Sequence, residues 1–130
     1  MDNKELIRAY YDMWNDQDFT KAETLLDPDV RFRGSLDITA NGIEGFKEYA
    51  QMLLHAFPNL YHAVEIMVQE NNLGAVYVTY TGTHKGPVFD YEPTGRRICS
   101  SGASFFQFKN GKITSINVLG DLNSLHKQLS

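Results

Sequence analysis

The chain reads as an α+β domain in which helices cover one face of an antiparallel sheet. Two observations predict this. Apolar residues recur at helical spacing through the first half, and the period changes to strand-like alternation in the second half. The segments between the later strands are short and rich in turn residues, which demands antiparallel neighbours. Helices segregated from strands then form a layered α+β arrangement.

Each element has its own signal. Leu6, Ala9, Tyr10, Met13 and Trp14 make the first helical stripe. Asn15-Asp16-Gln17-Asp18 ends it with turn residues. Ala22, Leu25 and Leu26 make a second, shorter stripe that stops at Asp27-Pro28, because the residue before proline is pushed out of helical geometry. Val30 and Phe32 mark a short strand. Phe46, Tyr49, Ala50, Leu53, Leu54 and Phe57 make a third stripe, closed by Pro58. Asp2 precedes Glu5, Thr20 precedes Glu23, and Asn41 precedes Glu44, each with the three-residue spacing of a capping box. Strands follow over 61–68, 75–83, 98–108 and 113–119. The stretch from Ala75 to Thr83 is the most β-branched and aromatic of them. Gln69 to Asn72 is a turn, Gly86 to Gly95 a loop or irregular hairpin, and Asn110-Gly111 the strongest hairpin signal. Leu122, Leu125 and Leu129 predict a short closing helix.

The 130 residues fit one domain, spanning 1–130. The helical half has too little apolar surface to stand alone. A net charge of −4, with only 12 Lys and Arg and no dense basic run, argues against nucleic acid and acidic membranes as partners. No apolar run approaches the roughly 20 residues of a membrane span. Cys99 is the one cysteine, so no internal disulfide forms; with no signal-peptide pattern at the N-terminus, a cytoplasmic location is expected.

Tyr10-Tyr11-Asp12-Met13-Trp14-Asn15-Asp16-Gln17-Asp18, with Leu25-Leu26-Asp27-Pro28-Asp29-Val30, resembles the opening of the nuclear-transport-factor-2-like superfamily. Gly42-Ile43-Glu44-Gly45-Phe46 and Ala56-Phe57-Pro58-Asn59-Leu60 resemble its third helix and the following strand. Gly82-Thr83-His84-Lys85-Gly86, Pro93-Thr94-Gly95-Arg96, Gly111-Lys112-Ile113 and Gly120-Asp121 are similar to the SnoaL-like polyketide cyclases, also called ester cyclases. The resemblance runs over nearly the whole chain. It implies a cone: a curved antiparallel sheet wrapped around three N-terminal helices, enclosing an apolar pocket. It implies a homodimer or larger homo-oligomer packed through the sheet. It also implies acid/base chemistry without metal or organic cofactor, an intramolecular aldol closure with Asp121 as acid/base and His84 at the family's histidine position. An aromatic residue is common in the family where Asn117 stands here, and a second proline is common at Glu92. Fold kinship alone does not transmit a reaction.

The residues themselves leave alternatives open. Breaking a C–H bond beside a carbonyl needs a base and a donor for the developing oxyanion. Asp121 suits the first role, but it also precedes Leu122-Asn123-Ser124 as a natural helix N-cap. His84 is an electrophilic partner or a strand-end histidine. Trp14, Phe32 and Phe57 line a pocket or fill the core, two readings that overlap inside a cone. Asn117 is near the pocket or its rim. His55 faces the pocket or flanks it, and His62 carries no clear signal. The ligand in either case is an apolar small molecule, turned over or simply held. His55 and His62 lack the spacing of a helical metal pair, and no metal site is expected.

Overall fold

A computed structural model of the chain describes residues 1–130. Helix α1 (Asn3–Asp16) leads through a 3-10 turn (Phe19–Lys21) and the one-turn helix α2 (Ala22–Leu25) to strands β1 (Leu26–Arg33) and β2 (Thr39–Asn41). Helix α3 (Gly42–Ala56) follows. Then come β3 (Tyr61–Glu70), β4 (Leu73–Thr83), β5 (Arg97–Lys109), β6 (Lys112–Gly120) and the closing helix α4 (Leu122–Leu129).

The strands form one curved, open sheet in the order β2-β1-β6-β5-β4-β3. The hairpins β3-β4, β4-β5 and β5-β6 are antiparallel, as is β1 on β2. The fifth pairing differs from the expected all-antiparallel sheet: β1 runs parallel to β6, with Phe32 beside Ile116. No hairpin joins these two strands, so no local turn sets their direction. Register shifts in β1, β3 and β6 (at Thr114) mark bulges, which bend strands and increase twist.

The helix starts differ in how they are closed. Asp2 and Glu5 form the full capping box, with the Glu5 N–H donating to Asp2 Oδ1 at 2.8 Å. At the second start Asp18, two residues before the expected cap, accepts the Thr20 N–H at 3.3 Å. Asn41 occupies the third N-cap position without a side-chain bond. Asp27-Pro28 lies inside β1, at its register shift, where proline is tolerated in a strand. At Asn110-Gly111 both residues have positive φ, 54° and 75°, the geometry of a type I′ turn.

Alternation decides what the sheet buries. Val76, Val78 and Tyr80 of β4, Ser104, Phe106 and Phe108 of β5, and Ile116 and Val118 of β6 face the helices. Against them pack Leu6, Ile7, Tyr10, Tyr11, Met13 and Trp14 of α1 and Phe46, Tyr49, Ala50 and Leu53 of α3. Helix α1 thus buries a wider arc than the stripe its periodicity predicts: Ile7 and Tyr11 are buried and Ala9 is only partly so.

The opposite face stays apolar in part. Register places Ile66, Tyr77, Ala103 and Leu119 in one row across four strands, and Val68, Ala75, Phe105 and Asn117 in the next. Five of these, Ile66, Val68, Tyr77, Phe105 and Leu119, are large exposed hydrophobic residues. No helix is long and apolar enough to cross a membrane.

Candidate functional site

Two adjoining cavities lie between the helices and the concave face. They share Ser35, Leu53 and Tyr80 as a common wall. The outer one, a narrow cleft partly open to solvent, is lined by Leu122 and Leu125 of α4 and by Phe57, Leu60 and Ile98. The inner chamber, bounded by α1, α3 and the centre of the sheet, is narrow, with room for about one water-sized group.

Two glycines make these walls possible. A Cβ on Gly34 would fall 2.2 Å from the Tyr49 ring, and one on Gly102 would fall 2.8 Å from the Tyr80 ring. Each tyrosine ring therefore occupies the space that a side chain at the glycine would fill. Helix α4 is fastened by its last turn. The Gln128 amide donates to the Cys99 carbonyl and accepts the Cys99 N–H, both at 2.8 Å, and Arg96 donates to the Gln128 carbonyl at 3.0 Å.

Asp121 stands on the rim of the outer cleft and is the one carboxylate lining it. It is exposed, and its Oδ1 accepts the Ser124 N–H at 3.1 Å as the N-cap of α4. This is the geometry of the helix cap; the side chain is solvent-exposed at the cleft mouth and not enclosed among apolar groups.

His84 is fully buried and lines neither cavity. Its Nδ1 accepts the Thr94 N–H at 3.1 Å, and its backbone N–H and carbonyl pair with Arg96 and Gly95 at 2.8 and 2.9 Å. Its ring packs 5.6 Å from that of Phe57. The Gly-Thr-His motif therefore buckles the 84–96 loop behind the cleft wall. Of the other residues singled out from the sequence, Trp14 and Phe32 line the inner chamber and Phe57 the outer cleft. His55 is exposed at the end of α3, and Asn117 is exposed on the outer face of β6. Asn117 points away because it alternates with Ile116 and Val118, which face inward.

The inner chamber holds polar groups that sequence reasoning left unassigned. Tyr11 Oη, Trp14 Nε1 and His62 Nδ1 are buried without a well-formed hydrogen bond, although Ser104 stands beside the Tyr11 hydroxyl and the Tyr10 hydroxyl beside the Trp14 indole. The three side chains touch: His62 is 4.8 Å from Trp14 and 5.8 Å from Tyr11 between ring centroids. Asn15 at the end of α1 fixes His62 by pairing with its backbone N–H and carbonyl at 2.8 and 3.0 Å. Burial pushes the His62 imidazole down to about 3, so it is neutral at ordinary pH. Burial pushes the hydroxyls of Tyr10, Tyr11, Tyr49 and Tyr80 up, so they remain O–H donors. The signals that could have found this group are the doubled Tyr10-Tyr11 beside Trp14 and the inward parity that His62 shares with Tyr80. No group of three or more His, Cys, Asp or Glu side chains is placed to hold a metal ion.

A family profile described as SnoaL-like polyketide cyclase matches residues 4–129, and the chain belongs to that family. Solved structures agree on the fold. A proposed SnoaL-like polyketide cyclase from Jannaschia sp. CCS1 superimposes with a TM-score of 0.90 at 23% identity, covering 98% of this chain and 91% of that one. IdmH from Streptomyces antibioticus, a proposed polyketide cyclase, gives 0.86 at 21% identity with 99% of both chains covered. AclR from Streptomyces galilaeus, a proposed hydroxylase, gives 0.83 at 25% identity, covering 97% of this chain and 83% of that one. No curated protein sequence matches the chain.

Proposed function

We propose that the protein is a small-molecule cyclase or isomerase acting by acid/base chemistry in the paired cavities beneath α4. The observation that carries this is Asp121, the lone carboxylate on a cleft otherwise walled by apolar side chains and serine hydroxyls. In an intramolecular aldol closure its carboxylate takes a proton from the carbon beside a ketone. The resulting enolate carbon attacks a second carbonyl of the same molecule, forming the ring C–C bond. The new alkoxide regains the proton, so mass is conserved and no cofactor is consumed. Oδ1 is engaged by Ser124, which orients the group.

A panel of poly-β-keto methyl esters, followed by proton NMR for ring closure, tests this. Turnover by the intact protein that disappears in Asp121→Ala supports the assignment; turnover that survives the substitution refutes it. A second reading, a non-catalytic binder of an apolar small molecule, is favoured by the exposure of Asp121 and its capping bond. Ligand that copurifies unchanged from the protein, with no ester in the panel turned over, selects that reading.

The exposed rows on the outer sheet face support a homodimer packed face to face, since contiguous exposed apolar patches mark association sites. A cytoplasmic location belongs to the same proposal: Cys99 is a free, exposed thiol, which a reducing compartment keeps reduced.

A further inference from the structure

The inner chamber contains a cluster that the proposed chemistry at Asp121 does not use. Tyr11, Trp14 and His62 are each more than nine-tenths buried, and each has a polar atom without a well-formed hydrogen bond. An unpaired buried donor or acceptor carries a desolvation penalty of about 1–3 kcal/mol. Three such atoms on touching side chains, inside a cavity, mark a place built to hydrogen-bond something that enters it. One further buried polar atom lacks a partner, His84 Nε2, but it stands alone and lines neither cavity, whereas the Tyr49 hydroxyl accepts the Leu36 N–H at 3.3 Å.

We infer that the inner chamber is the polar end of the ligand site and receives one uncharged oxygen of the ligand, a ketone or hydroxyl, through Tyr11, Trp14 and His62, while rejecting carboxylates. This deepens the small-molecule reading above and rests on it. The charge argument is direct. No Lys, Arg, Asp or Glu lines the chamber. The imidazole is neutral there, and the phenols keep their protons. A carboxylate would be buried without a cation, which costs far more than its hydrogen bonds return. A ketone oxygen accepts from the Tyr11 O–H and the Trp14 N–H at no charge cost. His62 is enclosed and neutral, so its part here is hydrogen bonding, and the proposed proton transfer is assigned to Asp121.

Trp14 is the only tryptophan, so its fluorescence reports on the chamber directly. The intact protein is titrated with cyclohexyl methyl ketone and with the nearly isosteric cyclohexanecarboxylate; because a ketone absorbs weakly where tryptophan does and quenches by collision, free N-acetyltryptophanamide titrated in parallel supplies the correction. The ketone is expected to change the Trp14 emission saturably, at least tenfold more tightly than the carboxylate. Tyr11→Phe is expected to weaken ketone binding about tenfold while raising the melting temperature, since it deletes an unpaired hydroxyl. A merely structural Tyr11 does not give those opposite signs. Equal or tighter binding of the carboxylate, unchanged ketone affinity in Tyr11→Phe, or no response to the ketone up to its solubility limit each overturns the assignment. If these fail while poly-β-keto ester turnover still depends on Asp121, the chamber assignment falls alone and the catalytic reading stands.

Discussion

The rim of the outer cleft and the inner chamber hold opposite kinds of polar group. At the rim Asp121 is solvated and already bonded to a backbone amide. Some way inside, across the shared wall of Leu53 and Tyr80, His62 is dry and unpaired. The difference teaches where this fold tolerates charge: the ionisable carboxylate stands where water reaches it, and the enclosed polar groups are neutral. On the proposed reading the first is the base and the second bind an oxygen of the ligand.

The largest effect that sharpens this comparison is on the inner side. Trp14 packs edge-on against Phe19 and Phe46, at 5.3 and 5.7 Å, and beside His62. Trp14→Ala is expected to lose about 3–5 kcal/mol of stability, the usual range for a buried aromatic, as read by urea unfolding. A loss under about 1 kcal/mol would mean that the chamber is not packed.

Acid should separate the two regions next. The folded-state value of His62 lies near 3, below its unfolded value of about 6.5. The unfolded chain therefore binds the extra proton between those values. Stability contributed by neutral His62 is complete above pH 6.5 and is lost at up to about 1.4 kcal/mol per unit as pH falls toward 3. Between pH 6.5 and 5 the carboxylates stay mostly ionised, so His62→Phe should flatten the slope there. An identical slope in that variant would contradict the burial of His62.

At the mouth the expected change is smaller. Asp121→Ala removes the α4 cap and should cost about 1 kcal/mol, whereas Asp121→Asn keeps a capping oxygen and should cost little. Equal losses in thermal unfolding would show that the carboxylate charge, and not the cap, holds the helix end. Smallest for stability are changes on the outer face. Tyr77→Lys with Phe105→Lys should leave unfolding within about 0.5 kcal/mol, as surface substitutions usually do. If the proposed face-to-face homodimer forms, sedimentation velocity should show it becoming monomer; an unchanged oligomer would move the interface elsewhere.

Much of this was legible from residue order, and the failures have physical causes. The long helices and four of the strands follow from periodicity, because each buries one face. Strand β2 is three residues long and has no period to read. The parallel pairing of β1 with β6 joins segments some 80 residues apart, beyond any local signal. Trp14, Phe32 and Phe57 were legible as inward-facing, but not as core or pocket wall, because the two coincide on a concave sheet. His84 and His62 were not distinguishable: one is fixed by a loop that folds back through Thr94, the other by an amide from Asn15, and both contacts are long-range or irregular. Asn117 sits one residue out of phase with the inward row, a matter of strand parity that the family comparison does not convey.

The most direct test of the account is the rate of ring closure by Asp121→Asn on whichever poly-β-keto ester the wild-type protein turns over. Asparagine preserves the cap and the shape of the mouth but cannot take a proton. The account predicts unchanged melting and a fall in kcat of at least about 100-fold, the low end for loss of a general base. Wild-type turnover in Asp121→Asn would mean that Asp121 serves only as the helix cap and that the proton is moved elsewhere.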